Sequence, residues 1–181
     1  MVTKRLENLM EKISTSAFLN NKGISNEVGL HIFTYKPSEE MIIKDFVRRL
    51  KKDHQIPCRI VEFDLYKSLL KALENDGILD EVGEVEKEIS HEELLEQLDT
   101  NLDQLMEAAE LPDLKLGEDV LLITGIGDVF AFIRANYVLN SIQQVVSVPV
   151  VVFYPGEYTG RDLKLFNRID DKNYYRAFNI C

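Results

Sequence analysis

The sequence predicts an α/β fold: a single domain with a mostly parallel sheet of about five strands flanked by helices, plus an acidic helical insertion at residues 76–117. Three observations carry this. Short apolar runs at GLHIFTYKP, CRIVEFD, DVLLIT and SVPVVVFY are separated by helical periodicities, the spacing that parallel pairing with right-handed crossovers needs. The stretch from Ser147 to Tyr158 has five apolar residues in the six from Val148 to Phe153, as in a strand buried on both faces. A chain of 181 residues is also long enough for one core without a disulfide or metal staple.

Taken in order, Leu6, Leu9, Met10 and Ile13 share one side of an N-terminal helix that packs on the sheet. STSAFLNNKGISNE reads as a loop. The first strand ends at Tyr35, with Pro37 opening the next helix, where a missing N–H costs least. His31 within that strand reads as a core imidazole, having no second ligand at metal spacing. Ile42, Ile43, Phe46, Val47 and Leu50 form the apolar stripe of the following helix. Arg48, Arg49, Lys51 and Lys52 close it, either as a solvated helix end favoured by the dipole or as a phosphate patch. Asp64 ends the second strand and caps a helix through Leu65, Leu69, Leu70 and Leu73 toward Gly77.

The net charge of -10 comes from one region. Between Glu74 and Glu110 fourteen acidic residues face one basic residue, Lys87, leaving seventeen acids and twenty bases elsewhere. Ser90 to Glu93 forms a capping box ahead of Leu94, Leu95, Leu98, Leu102, Leu105, Met106 and Ala109 at helical spacing. These leucines complete the domain's own core or fill a partner's groove. His91 reads as exposed. The near-neutral remainder does not exclude a nucleic-acid contact, yet no basic cluster with interleaved aromatics favours one.

Gly125-Ile126-Gly127-Asp128 follows the third strand. No GxxxxGK[ST] occurs and no lysine follows the turn, so a phosphate loop is not indicated. Asp128 reads as the N-cap of a helix through Phe130, Ile133, Tyr137, Val138 and Ile142 that carries Arg134. Pro155-Gly156 reads as a turn, placing Tyr154, Glu157 and Tyr158 just past a strand end, where such sheets usually bind. Leu163, Leu165 and Phe166 form a short packed segment, Asp170 to Asn173 a turn, and Tyr174 to Ile180 a last strand. Cys58 and Cys181 are the only cysteines, and no apolar run reaches the roughly 18 to 20 residues of a membrane span. With a charged amphipathic N-terminus, this predicts a cytoplasmic protein with reduced thiols.

PVVVFYPGEYTGRDLKLFNRIDDKNYYRAF, together with GLHIFTYKP and TGIGDVFAFIRANYVLNSIQ, resembles the BrxB family of the bacterial BREX phage-defence system over nearly the whole chain. FYPGEY and NYYRAF are the most specific parts. The resemblance implies a role in restricting phage replication as part of a multi-protein complex, an interaction with PglZ, a large alkaline-phosphatase-like component, and no established enzymatic activity of its own; no cofactor is expected. The matching positions are Tyr35 and Pro37, Gly125 and Gly127, Arg134, Tyr154 to Tyr158, and Tyr174, Tyr175 and Arg176, none of them catalytic.

Two readings follow. As a non-enzymatic scaffold, the protein would bind its PglZ-like partner through Tyr154, Glu157, Tyr158, Tyr175, Arg176 and Arg134. As a nucleotide- or metal-binding phosphoryl-transfer or nuclease-like domain, it would use a pocket at the sheet's C-terminal edge. Tyr35, Gly125, Gly127 and Asp128 are the pocket candidates, and Asp64, Thr124, Tyr154 and Glu157 would stand nearby. Scattered histidines and cysteines support neither a nucleophile elbow nor a CxxC site.

Overall fold

The computed structural model describes residues 1–22, 29–83, 87, 90, 93, 101–159, 162–171 and 178–180. Helices α1 (Val2–Ile13) and α2 (Ser16–Leu19) precede strand β1 (Leu30–Tyr35). A 3-10 turn (Pro37–Glu39) leads into α3 (Glu40–Leu50), then β2 (Arg59–Asp64) and α4 (Leu65–Asn75). After the acidic region come α5 (Leu102–Ala109), β3 (Asp119–Thr124), α6 (Ala135–Val145) and β4 (Val150–Tyr158). The short strands β5 (Leu163–Leu165), β6 (Ile169–Asp171) and β7 (Phe178–Asn179) complete the order.

Five strands run parallel in the order β2-β3-β4-β1-β7. Beyond that sheet β4 continues into an antiparallel ladder with β5 and β6. The chain crosses from β1 to the far edge through α3, then returns through α4 and α6. Reversing direction with one hand of crossover requires helices on opposite faces, and the packing shows this. Helices α1 and α3 bury Leu9, Ile43 and Val47 with Phe33, Val151 and Phe153. Helices α4, α5 and α6 bury Leu69, Leu105 and Leu139 with Phe63, Val152 and Tyr154. Strand β4 lies at the centre, which explains its unbroken apolar run. Side chains alternate between faces and both faces are covered, so each of Val150 to Phe153 is buried. Each contributes about 1.5–3 kcal/mol.

Several local expectations are corrected. The stretch from Ser14 to Lys22 is not wholly a loop: Thr15 Oγ1 accepts from Phe18 N at 3.3 Å and starts α2. Ile42 is exposed rather than part of the α3 stripe. The Ser90–Glu93 capping box forms, with Ser90 N donating to Glu93 Oε2 at 3.0 Å and Glu93 N to Ser90 Oγ at 3.2 Å. No single helix runs from there to Ala109, because Asn101 and Gln104 make a second capping box that begins α5. Leu102 and Leu105 of α5 join the core, while His91, Leu94, Leu95 and Leu98 lie outside the described residues. Pro155-Gly156 is not a turn, since β4 runs through it to Tyr158. Asp170 and Asp171 belong to β6 rather than a turn, and Tyr174 lies outside the described residues.

At the amino-terminal edge, Asp119 is buried beneath Arg59, which donates from Nε at 2.8 Å and Nη2 at 2.7 Å, while Lys115 N donates at 2.7 Å. The guanidinium holds the Asp119 carboxyl below its ordinary range. Asp119→Asn is expected to cost about 1–3 kcal/mol by denaturant unfolding. Because the folded value is the lower one, this stabilisation is present above pH 4 and lost as pH falls through the folded value.

His31 is a core imidazole, buried with its ring centroid 4.6 Å from that of Phe18. Burial, helped by the charge of Lys12, pushes it down to about 4. The unfolded chain therefore binds the proton first on acidification. Stability is full above pH 6.5 and falls by about 3 kcal/mol as pH drops to 4. Between pH 6.5 and 4 the unfolding free energy of the wild type should fall by about 3 kcal/mol more than that of His31→Asn, as denaturant melts across this window would show.

Candidate functional site

A groove of about 340 Å³ opens at the carboxyl ends of β1, β2 and β3, between α3 and the start of α4. Sequence and topology place its residues there. Each parallel strand delivers its last side chains to this edge, and Lys44, Arg48 and Lys51 fall on one face of the α3 segment by helical spacing. Ile43, Val47 and Phe153 supply the apolar wall, and Tyr66 stands at the mouth, 42% exposed.

The groove's charges are paired across elements. Lys44 Nζ lies 3.0 Å from Asp128 Oδ2 and 3.6 Å from Glu40 Oε1. The Tyr35 hydroxyl donates to Glu40 Oε2 at 2.5 Å. Lys51 Nζ donates to Glu62 Oε2 at 2.6 Å, and Thr124 Oγ1 donates to Glu62 Oε1 at 2.9 Å. Asp64 caps α4 by accepting from Lys67 N at 3.1 Å and also pairs with the Lys67 ammonium. Burial foremost, then the bond to Glu40, raises the Tyr35 phenol above its ordinary value, so it stays a neutral donor. The bond to Asp128 holds the Lys44 ammonium protonated above its usual range, and the bond to Asp64 does the same for Lys67.

Of the pocket candidates, Tyr35, Gly125 and Asp128 line this groove, and Gly127 does not. Asp64 and Thr124 line it too. Gly125 has φ +79°, and a Cβ there would sit 3.1 Å from Tyr66 N and 3.3 Å from Asp64 Oδ1. The glycine thus lets the β3 turn pass against the start of α4. Gly127 abuts Pro155 and Phe166, where a Cβ would meet both at 3.0 Å. Asp128 is not a helix cap. Ala131 takes φ +84° and Arg134 is extended, so helix α6 begins only at Ala135 and Asp128 remains available to Lys44.

Among the described partner-binding candidates, Tyr154 does not reach the surface. Tyr154 is 1% exposed, in the core with Phe63 and Val152. Its position on the α4–α6 face of the central strand puts helices over its ring. Glu157 is exposed and Tyr158 half-buried on the β4–β5 ladder, and Arg134 is exposed at the head of α6. Tyr175 and Arg176 lie outside the described residues. Of the proposed phosphate patch, Arg48 and Arg49 pair with Asp45, and only Arg48 and Lys51 reach the groove. Glu40, Lys44, Glu62 and Lys67 were not singled out by sequence reasoning, although the i, i+4 spacing of Lys44 and Arg48 marks a shared face.

Fold and site define a three-layer α/β/α domain with a groove of internally paired charges at the carboxyl edge of its sheet. Residues 61–180 match the family described as BREX protein BrxB. The BREX protein BrxB of Bacillus cereus (strain H3081.97) is 36% identical over an alignment of 190 positions, covering 99% of this chain and 97% of that one. That of Escherichia coli O9:H4 (strain HS) is 30% identical over an alignment of 184 positions, covering 97% and 90%. The chain belongs to the BrxB family. No solved structure matches it. Among the described residues no helix is long and apolar enough to cross a membrane.

Proposed function

We propose that the protein is a non-enzymatic interaction component of a BREX-type bacteriophage-resistance complex in the cytoplasm, binding a PglZ-like partner of alkaline-phosphatase fold. Its similarity along nearly the full length to two proteins named BREX protein BrxB supports the BREX role. The observation that carries the non-enzymatic part is the engagement of the groove's carboxylates. Asp128, Glu62 and Asp64 each hold a lysine, and Glu40 holds Tyr35. A divalent cation or a general base needs carboxylate oxygens directed at the ligand, and here they are turned onto the protein's own donors. Size-exclusion chromatography of the purified protein with the PglZ-like component at micromolar concentration is expected to give a joint peak. Separate elution overturns the proposal.

One observation favours a second reading, a nucleotide- or metal-binding domain: Tyr35, Asp64, Thr124 and Asp128 meet in a single groove at the strand ends. A melting temperature that rises with Mg²⁺ or a nucleoside triphosphate would support it, and an unchanged one would remove it.

A further inference from the structure

Resting on the interaction reading above, we infer that this groove is the docking surface and that its occupant is an acidic partner segment carrying an apolar anchor. The argument begins with depth. The side chains of Glu62, Asp64, Glu40 and Asp128 are 14–39% exposed, whereas those of Lys51, Lys44, Arg48 and Lys67 are 42–76% exposed. The carboxylates that line the groove lie low and the cations stand outward, with Asp45, 44% exposed, holding Arg48 from beside the groove. A visiting group therefore meets a positive rim, although the protein as a whole carries -10. An ammonium has three donors, so one held by a single carboxylate can also donate to an incoming anion.

The anchor follows from the apolar side of the same site. Ile43, Val47 and Phe153 line the groove from the core, each at most 2% exposed, so they offer only their edges. Tyr66 lines it as well and is 42% exposed. Aromatic residues, Met and Arg are the types enriched where proteins meet. A peptide with alternating carboxylates and an apolar side chain matches both features. Nucleic acid matches only the rim, and its long run of phosphates meets the repulsion of the net negative chain.

The test is fluorescence anisotropy with a labelled 12-residue peptide containing six acidic residues and two phenylalanines. Its counterpart with lysines in place of the acids and a 12-nucleotide single-stranded DNA serve as comparisons. Saturable binding that weakens with added salt and is at least tenfold tighter than for either comparison is expected. Arg48→Glu with Lys67→Glu should weaken it at least tenfold while the melting temperature falls by only a few degrees, the two ion pairs lost being solvent-exposed. Equal binding to that variant, equal or tighter binding of the lysine peptide or the DNA, or no saturation below millimolar protein overturns the inference. Co-elution of the PglZ-like component with wild type and variant alike removes the groove as its docking surface and leaves the component role intact. Failure with the wild type removes the role itself.

Discussion

Gly156→Ala is expected to destabilise the protein by about 3 kcal/mol, the upper part of the overpacking range. For a domain of this size that is a fall of about 6–12 °C in melting temperature. A Cβ at Gly156 would sit 2.0 Å from Lys164 O and 3.0 Å from its carbonyl carbon. The obstacle is the backbone of β5, paired with β4 through Gly156 and Leu165, so no side-chain rotation relieves it. The two strands must separate, and Leu163 and Leu165 would leave the core with them. Gly83→Ala is the control, because among the described residues nothing beyond its own chain neighbours lies within 4 Å of its added Cβ. Differential scanning calorimetry of the two variants should show a large fall for the first and little change for the second. Equal melting temperatures would mean that β4 and β5 do not pair at this residue.

Tyr154→Ala is expected to cost about 3–5 kcal/mol, as for other large buried rings, whereas Tyr154→Phe should cost less than about 1.5 kcal/mol. Tyr154 is among the largest fully buried side chains and packs with the α4–α6 core. Its removal opens a cavity that the valines on either side of the central strand are too small to fill. Tyr158, half-buried at the strand's end, should cost clearly less on truncation. A melt in which Tyr154→Ala leaves stability unchanged, with partner binding lost, would return this tyrosine to the surface role its place after an apolar run suggests.

The two tyrosines show where sequence reasoning stops. Val150 to Phe153 is apolar throughout, which marks a strand covered on both sides but says nothing of where pairing ends. Pro155-Gly156 is a turn signal by local chemistry. Here the proline ring and the glycine serve close packing instead: Pro155 against Gly127, and Gly156 against the β5 backbone. A local signal of this kind is overridden because Gly156 pairs with Leu165, nine residues on, beyond the two-residue window in which a Pro-Gly turn is read. Asp128 is similar. Its spacing to Phe130 and Ile133 suggests a cap, yet the positive φ of Ala131 delays the helix and leaves the carboxylate to Lys44, 84 residues away in sequence.

Alternation of strand and helix, the apolar stripes of α1 and α4, the cap at Asp64 and the buried character of the central strand are written in residue order. Each depends on neighbours within a turn or two, so periodicity and capping chemistry suffice to read them. Strand order, the meeting of Lys44 with Asp128 and of Lys51 with Glu62, and the burial of Tyr154 depend on which crossover lies over which face. Those contacts join residues on different elements, 11 and 84 positions apart, and only the packing of the layers brings them within hydrogen-bonding distance.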